Sequence, residues 1–180
     1  MVLEAQLLAD RGMETEVFAF LDRVIALRPD NVDLLYYRAM TGERFDDLGV
    51  LERDLRRIIQ LDPENADALN ALGYTLTDRT DRHEEALLLI ERALAIKPNE
   101  AAYIDSMGWV QYRLSNYAAA IEHLRRALEL MQNDEVAAHL GEVLWVSGDK
   151  QEARQVWQEA LEIKPDSEIL KEVMDRLDSN

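Results

Sequence analysis

Cysteine is absent from the 180-residue chain. This removes disulfides, thiolate metal sites and a thiol nucleophile together, and leaves reducing and oxidising compartments equally open. Glycine (7) and proline (4) are scarce, too few for a many-stranded fold that turns roughly every ten residues. No apolar run approaches the ~18–20 residues a helix needs to cross a bilayer, so no direct membrane insertion is expected of this segment. The opening residues Met1-Val2-Leu3-Glu4-Ala5 show neither a basic n-region nor an apolar h-region. Basic residues are in deficit: 20 Lys and Arg stand against 36 Asp and Glu, a formal charge of −16. Such a chain repels phosphate backbones unless it concentrates a basic face. Its densest basic clusters are the pairs Arg56-Arg57 and Arg125-Arg126, each with acids nearby. Nucleic acid and anionic lipid are therefore not expected partners.

What is present is a repeat. Apolar residues make up 48% and charged residues 31% of the chain, which suits a folded, helix-rich protein. Prolines fall at 29, 63, 98 and 165, spaced 34, 35 and 67, with Gln132 near the place of the missing one. Each follows an apolar helix end such as Ile25-Ala26-Leu27-Arg28 or Leu94-Ala95-Ile96-Lys97. Proline stops a helix and disfavours helical geometry in the residue before it. Asp or Asn follows closely each time, placed to cap the next helix. Small residues recur in step: Gly73, Gly108 and Gly141, then Ala86, Ala120 and Ala153, then Ala93, Ala127 and Ala160. They let paired helices approach closely, with the bulky Ile90, Leu124 and Trp157 between them.

Asn70-Ala71-Leu72-Gly73-Tyr74 with Ala86, Ile90, Ala93 and Pro98 resembles the tetratricopeptide repeat, as does Ser106-Met107-Gly108-Trp109 with Ala120, Leu124 and Ala127. The second unit is looser, with Ala39 in place of glycine and Leu51, Leu55 and Ile58 where small residues are usual. The resemblance implies an all-α fold: a right-handed superhelical solenoid of antiparallel helix pairs with a C-terminal capping helix. It would be a single array over 1–180, with repeats at 1–30, 31–64, 65–99, 100–133 and 134–166. The first (A) helices are expected near 2–11, 31–43, 65–78, 100–114 and 134–147. The second (B) helices are expected near 14–28, 46–61, 82–96, 117–131 and 150–163. The capping helix, 167–178, would be capped by Asp166 or Ser167, with Glu168, Lys171, Glu172 and Asp175 outward. Leu3, Leu7 and Leu8 open the chain without a polar lead-in, so it is expected to be a fragment of a longer array, and a short first helix folding back is the alternative.

No motif announces chemistry. His83, His123 and His139 form no H-E-x-x-H or i, i+4 pair, so no metal site is expected. Acidic pairs such as Glu84-Glu85 and Asp46-Asp47 lie at expected helix starts, where the dipole favours negative charge. There is no glycine-rich phosphate loop and no G-x-S-x-G. The expectation is no enzyme, no catalytic residue and no cofactor.

The expected site is a binding groove. In this family the A helices line a concave surface, and carrying its inward positions over residue by residue gives Tyr36, Tyr37 and Met40, then Asn70 and Tyr74. Asp105, Trp109, Tyr112 and Arg113 follow, then His139, Glu142 and Trp145. Six of these are half of the chain's aromatics, and Tyr and Trp anchor interfaces at low entropy cost. The full set of inward positions, six in each of the second to fifth repeats, also holds seven acids (Asp33, Glu43, Asp67, Asp78, Asp105, Glu135, Glu142) against Arg44 and Arg113. Such a groove favours a protein or peptide partner with apolar anchors in basic or neutral surroundings, and disfavours the free carboxylate that chaperone-binding members grip. Tyr37, Tyr112 and Trp145 are the aromatics expected to be exposed; Tyr74 and Trp109, which follow a crossing-point glycine, leave packing and binding both open.

Three runs carry a closer resemblance: Asp105-Ser106-Met107-Gly108-Trp109-Val110, the segment Glu135 to Trp145, and Asn70 to Leu76. Together they resemble the C-terminal part of gammaproteobacterial tetratricopeptide outer-membrane lipoproteins, over roughly residues 65–165. One such lipoprotein is the adaptor of a periplasmic carboxyl-terminal processing protease. The resemblance implies an intact protein with a signal and lipidated cysteine outside this sequence, a place on the periplasmic side of the outer membrane, and a protease or its substrates as partner. Without it a cytoplasmic scaffold is the reading. The alternative function is self-association, a homo-oligomer formed through the uncapped N-terminal face.

Overall fold

The computed structural model describes residues 2–178. Among these, eleven helices and no strand are found: α1 (Val2–Asp10), α2 (Glu14–Leu27), α3 (Val32–Arg44), α4 (Leu48–Leu61), α5 (Ala66–Arg79), α6 (His83–Ile96), α7 (Ala101–Arg113), α8 (Tyr117–Leu130), α9 (Asp134–Ser147), α10 (Lys150–Ile163) and α11 (Glu168–Asp178). The all-helical fold read from the sequence is present. Residue contacts divide the chain into two compact units, 1–72 and 73–180, the division falling within α5 between Leu72 and Gly73.

The turn chemistry explains why the helices stop where they do. In four of the turns inside helix pairs one residue takes a left-handed backbone: Gly12 (φ 69), Asp46 (φ 63), Ser115 (φ 65) and Gly148 (φ 107). The next residue's N–H then reaches back to a carbonyl of the finished helix: Met13 to Leu8, Asp47 to Gly42, Asn116 to Gln111 and Asp149 to Leu144, at 2.8–3.0 Å. This is the Schellman closure of a helix end. It corrects the expected start of α4. Asp46 cannot be helical in this conformation, and Asp47 becomes the N-cap, accepting from the Val50 N–H at 2.9 Å.

The residue two after the proline caps the next helix in three cases. Asn31 accepts from Leu34 N–H and Asn65 from Ala68 N–H, and Ser167 rather than Asp166 accepts from Leu170 N–H. Glu100, the N-cap of α7, makes no such bond, and its neighbour Asn99 serves another purpose. Arg126 donates to the Asn99 side chain at 2.7 Å and to the Pro98 carbonyl at 3.2 Å, as Arg57 donates to Asp30 after Pro29. The other halves of the two basic pairs are also paired, Arg56 with Glu52 and Arg125 with Glu152.

In the first unit α1 and α2 close on Ala5, Ala9, Val17 and Leu21, with Phe18, Tyr37 and Phe45 against them. Arg38 of α3 lies buried beside Asp54 of α4, donating through Nε at 2.6 Å and a second nitrogen at 2.8 Å, and to Asp22 at 2.5 Å. In the second unit the glycine crossings are as tight as expected. A Cβ on Gly73 would lie 2.6 Å from Ile90 Cγ1, one on Gly108 2.5 Å from Leu124 Cγ, and one on Gly141 would overlap the Trp157 indole. Leu170 and Val173 of α11 join the core of α8 to α10, while Glu168, Lys171, Glu172 and Asp175 face outward.

Candidate protein-binding surfaces

The groove residues fall into two sets that differ in kind, one in each unit. In the first unit, one face of α3 presents Tyr36, Tyr37 and Met40, four-residue spacing bringing Tyr36 and Met40 over each other. All three are half-buried. With Val32, Asp33, Asn65 and Asp67 they line an open depression of about 420 Å³. Tyr37 also leans on the α1–α2 core, and burial, then the nearby Asp10, raises its hydroxyl pKa against the opposing Arg44. Arg44, one of the two expected groove cations, is paired with Asp10 at 2.8 Å.

In the second unit the candidates are tied to one another. Trp109 stacks on His139 with ring centroids 4.2 Å apart and also contacts Tyr112 at 5.0 Å. Its indole N–H points to Asp78 at 3.4 Å. His139 Nδ1 donates to Asp105 at 3.0 Å. The Tyr74 hydroxyl donates to Glu135 at 3.0 Å, and the Tyr112 hydroxyl to Glu142 at 3.1 Å. Glu142 also takes two bonds from Arg176 of α11. Burial first, then these carboxylates, pushes the Tyr74 hydroxyl well above its ordinary range and Tyr112 up to about 12. Both remain neutral donors at any physiological pH.

Trp145 corrects an expectation. Its groove position predicts exposure, yet it is buried, lying against Trp157 at 5.7 Å under Lys150 and Arg154, whose cationic groups sit 4.4 and 4.7 Å from its ring centroid. The chain places these two basic residues in the first turn and a half of α10, where they cover the indole face. Asp105, Trp109, His139 and Glu142 are buried as well, whereas Tyr112 and Arg113 are half-exposed. Asn70, in the first unit, is half-buried with its side-chain oxygen shielded and unpartnered among the described residues.

The partner spacing is one the sequence contained. Asp105 to His139, Glu142 to Arg176 and Asp10 to Arg44 are each 34 residues apart, one repeat period. A polar residue on one A helix thus meets its counterpart one repeat on. Among the described residues no cluster of three or more His, Cys, Asp or Glu suits a metal ion, and no helix is long and apolar enough to cross a membrane.

Comparison with known proteins agrees with this architecture. The tetratricopeptide repeat family model matches residues 52–101 and 106–168. The chain is 43% identical over 141 residues, 78% of its length, to the TPR repeat-containing protein PA4667 of Pseudomonas aeruginosa, and spans 24% of that relative's length. Among solved structures it is similar to TTC0263, a thermophilic TPR protein of Thermus thermophilus, with a TM-score of 0.79 at 21% identity, covering 99% of this chain and 95% of that one. It is likewise similar to the APC/C hetero-tetramer Cut9-Hcn1, with a TM-score of 0.78 at 19% identity, covering 96% of this chain and 35% of that one. With the family matched over more than half of its residues, the chain belongs to the tetratricopeptide-repeat family.

Proposed function

We propose that this chain is a protein-binding scaffold and that the α3 depression in its first unit takes an apolar side chain of a partner peptide flanked by basic residues. One observation carries the reading: Tyr36, Tyr37 and Met40 stand together, half-buried, around an open depression that also holds Asp33 and Asp67. Rings and thioether offer an anchor its contact area, and two carboxylates at the edge favour basic neighbours. The groove residues of the second unit are mostly buried and engaged with one another, which supports a structural share in their role. In this reading the scaffold acts by holding partners together, raising their effective concentration.

The resemblance to lipoprotein adaptors makes a periplasmic carboxyl-terminal processing protease or its substrates the first partner class to test. Pull-down from a periplasmic extract is expected to recover such a protein. Tyr36→Ala and Met40→Ala are each expected to weaken capture by about 2 kcal/mol, the size of an interface anchor, with unfolding unchanged. Capture that survives both substitutions would move the site elsewhere. A second reading, self-association, is favoured by Leu3 and Leu7 on α1, 80% and 50% exposed. It requires a sedimentation coefficient that rises with concentration and stops rising on Leu7→Glu.

A further inference from the structure

The Glu142 carboxylate on α9 accepts the Tyr112 hydroxyl at 3.1 Å and two bonds from the Arg176 guanidinium of α11, at 3.2 and 2.5 Å. The acid is nearly buried, its side chain 9% exposed, while that of Arg176 is 56% exposed. Glu142 also lines an open depression of about 310 Å³, together with Trp109, Tyr112, Tyr117 and Arg113. The Trp109 and Tyr112 rings are 5.0 Å apart and those of Tyr112 and Tyr117 are 6.0 Å apart, tilted by 40° and 44°. Aromatic faces beside one carboxylate form the set that recognises a flat cation, because the rings attract its charge while the acid takes its N–H groups. Arg176 demonstrates the fit: a guanidinium already holds both oxygens of this acid in two-point geometry.

We propose that this depression is a binding site for an arginine side chain of a protein partner, and that Arg176 is its intramolecular competitor. The incoming guanidinium lies against Tyr112 and Tyr117 and displaces Arg176 from Glu142. Three features favour the exchange. Tyr112 stays anchored because its own hydroxyl bonds to the same carboxylate. Glu142 accepts three bonds and keeps lone-pair capacity for an arriving donor. Arg176, already half in water, needs little further hydration on release. Arg113 opposes any cation here by like charge, and it selects a weakly hydrated guanidinium that can stack over a compact ammonium. The other groove acids differ: Asp105 is committed to His139 and Glu135 to Tyr74, and neither lines the depression. The site lies in the second unit and stands independently of the α3 depression.

The test is a nuclear magnetic resonance titration of the full chain with N-acetyl-arginine-N-methylamide, read at the Trp109 indole N–H and the Tyr112 and Tyr117 rings. The corresponding citrulline and lysine amides serve as controls. Arginine is expected to shift these signals, citrulline not at all, and lysine more weakly. Arg176→Gln should tighten the apparent Kd by on the order of fivefold or more, since the closed state no longer competes. Arg113→Gln should tighten it about twofold, and Glu142→Gln should abolish binding. Shifts of equal size with citrulline, binding by lysine as tight as by arginine, or an Arg176→Gln Kd equal to the native value would each overturn the proposal. Arg176 is exposed enough that its variant folds even if Glu142→Gln does not, so the decision does not depend on the latter. Signals of Tyr36 and Tyr37 in the same spectra separate this site from the α3 depression.

Discussion

Trp109 lies flat on His139, the ring centroids 4.2 Å apart and the planes 19° from parallel. The same imidazole donates from Nδ1 to both oxygens of Asp105, at 3.0 and 3.2 Å. One residue of α9 is thus held between a ring and a carboxylate that α7 supplies four residues apart on one face. Burial works against a charge on His139. The bond to Asp105 and the nearby acids Glu135 and Glu142 outweigh it, and the imidazole pKa is held above its ordinary value.

That shift makes stability depend on pH in a definite direction. In the unfolded chain His139 titrates near ~6.5, and in the folded chain it titrates higher. The folded state therefore binds the extra proton, and the associated stability is complete below ~6.5 and fades as pH rises through the folded-state pKa. Thermal unfolding followed from about pH 6 to pH 9 should show the native protein losing Tm relative to His139→Gln across this window. Parallel profiles for the two proteins would mean that the imidazole is not preferentially protonated in the fold. Asp105→Asn should cost about 1.5–3 kcal/mol below the transition, as expected for a bond to a charged group.

The glycine crossings predict a graded series. Alanine favours a helix interior over glycine by ~1 kcal/mol, so an alanine that destabilises does so through packing. A Cβ at Gly108 meets Leu124 Cγ at 2.5 Å, and one at Gly141 runs into the rigid Trp157 indole. Gly108→Ala should lose about 1–3 kcal/mol through overpacking, and Gly141→Ala more. Gly49 of α4 has only the N-cap oxygen Asp47 Oδ1 nearby, at 3.3 Å, so the propensity gain and the crowded cap offset each other and Gly49→Ala should stay within about 0.5 kcal/mol of the native protein. Denaturant midpoints at unchanged m values would establish the order.

The helix pairs are legible in the sequence because punctuation and close approach are local: proline stops a helix wherever it stands, and Gly108 faces Leu124 only if two helices cross there. The groove is less legible. Its positions read as a surface when each A helix is set against solvent, and not when it is set against the A helix one repeat on. Trp145 shows the cost, since the Lys150 and Arg154 that cover it lie on the following helix. The pairs Asp105–His139 and Glu142–Arg176 follow the same logic. A search for complementary polar residues 34 apart would have found both, whereas the stacking of Trp109 on His139 depends on ring orientation, which spacing does not carry.

Two turns store correctable strain. Asp46 and Ser115 hold left-handed backbones that Gly12 and Gly148 adopt at the corresponding turns. A side chain in this region costs roughly 1–2 kcal/mol against a right-handed alternative, and glycine escapes most of that. Ser115→Gly should therefore raise stability by about 0.5–1 kcal/mol despite the added freedom of the unfolded chain. Gly148→Ala should lower it by a similar amount, although a Cβ there meets nothing within 4 Å. A Ser115→Gly protein no more stable than the native one would place that turn in a different conformation.

Arg38 and Asp54 set the largest expected loss. The Asp54 side chain is 2% exposed and that of Arg38 is 11% exposed, whereas Asp22, which also pairs with Arg38, is 63% exposed and Arg53, which donates to Asp54 at 3.0 Å, is 57% exposed. Burial works to lower the guanidinium pKa, but the bonds to Asp54 and Asp22 hold it above the ordinary value. Removing Asp54 leaves a buried cation short of its two-point partner, which costs about 3–5 kcal/mol when a buried pair is broken from one side. Removing Asp22 gives up an ion pair open to solvent, worth no more than ~1 kcal/mol. Asp54→Ala should therefore fall far below Asp22→Ala in far-UV circular dichroism melts, and the double change Arg38→Met with Asp54→Leu should recover most of the loss. Circular dichroism is the appropriate readout because all three tryptophans, Trp109, Trp145 and Trp157, lie in the second unit. Their emission midpoint should move less than the dichroism midpoint if the first unit opens on its own, as the limited cooperativity of repeat proteins allows. Equal losses for Asp54→Ala and Asp22→Ala would show that the buried bidentate pair contributes no more than the exposed one.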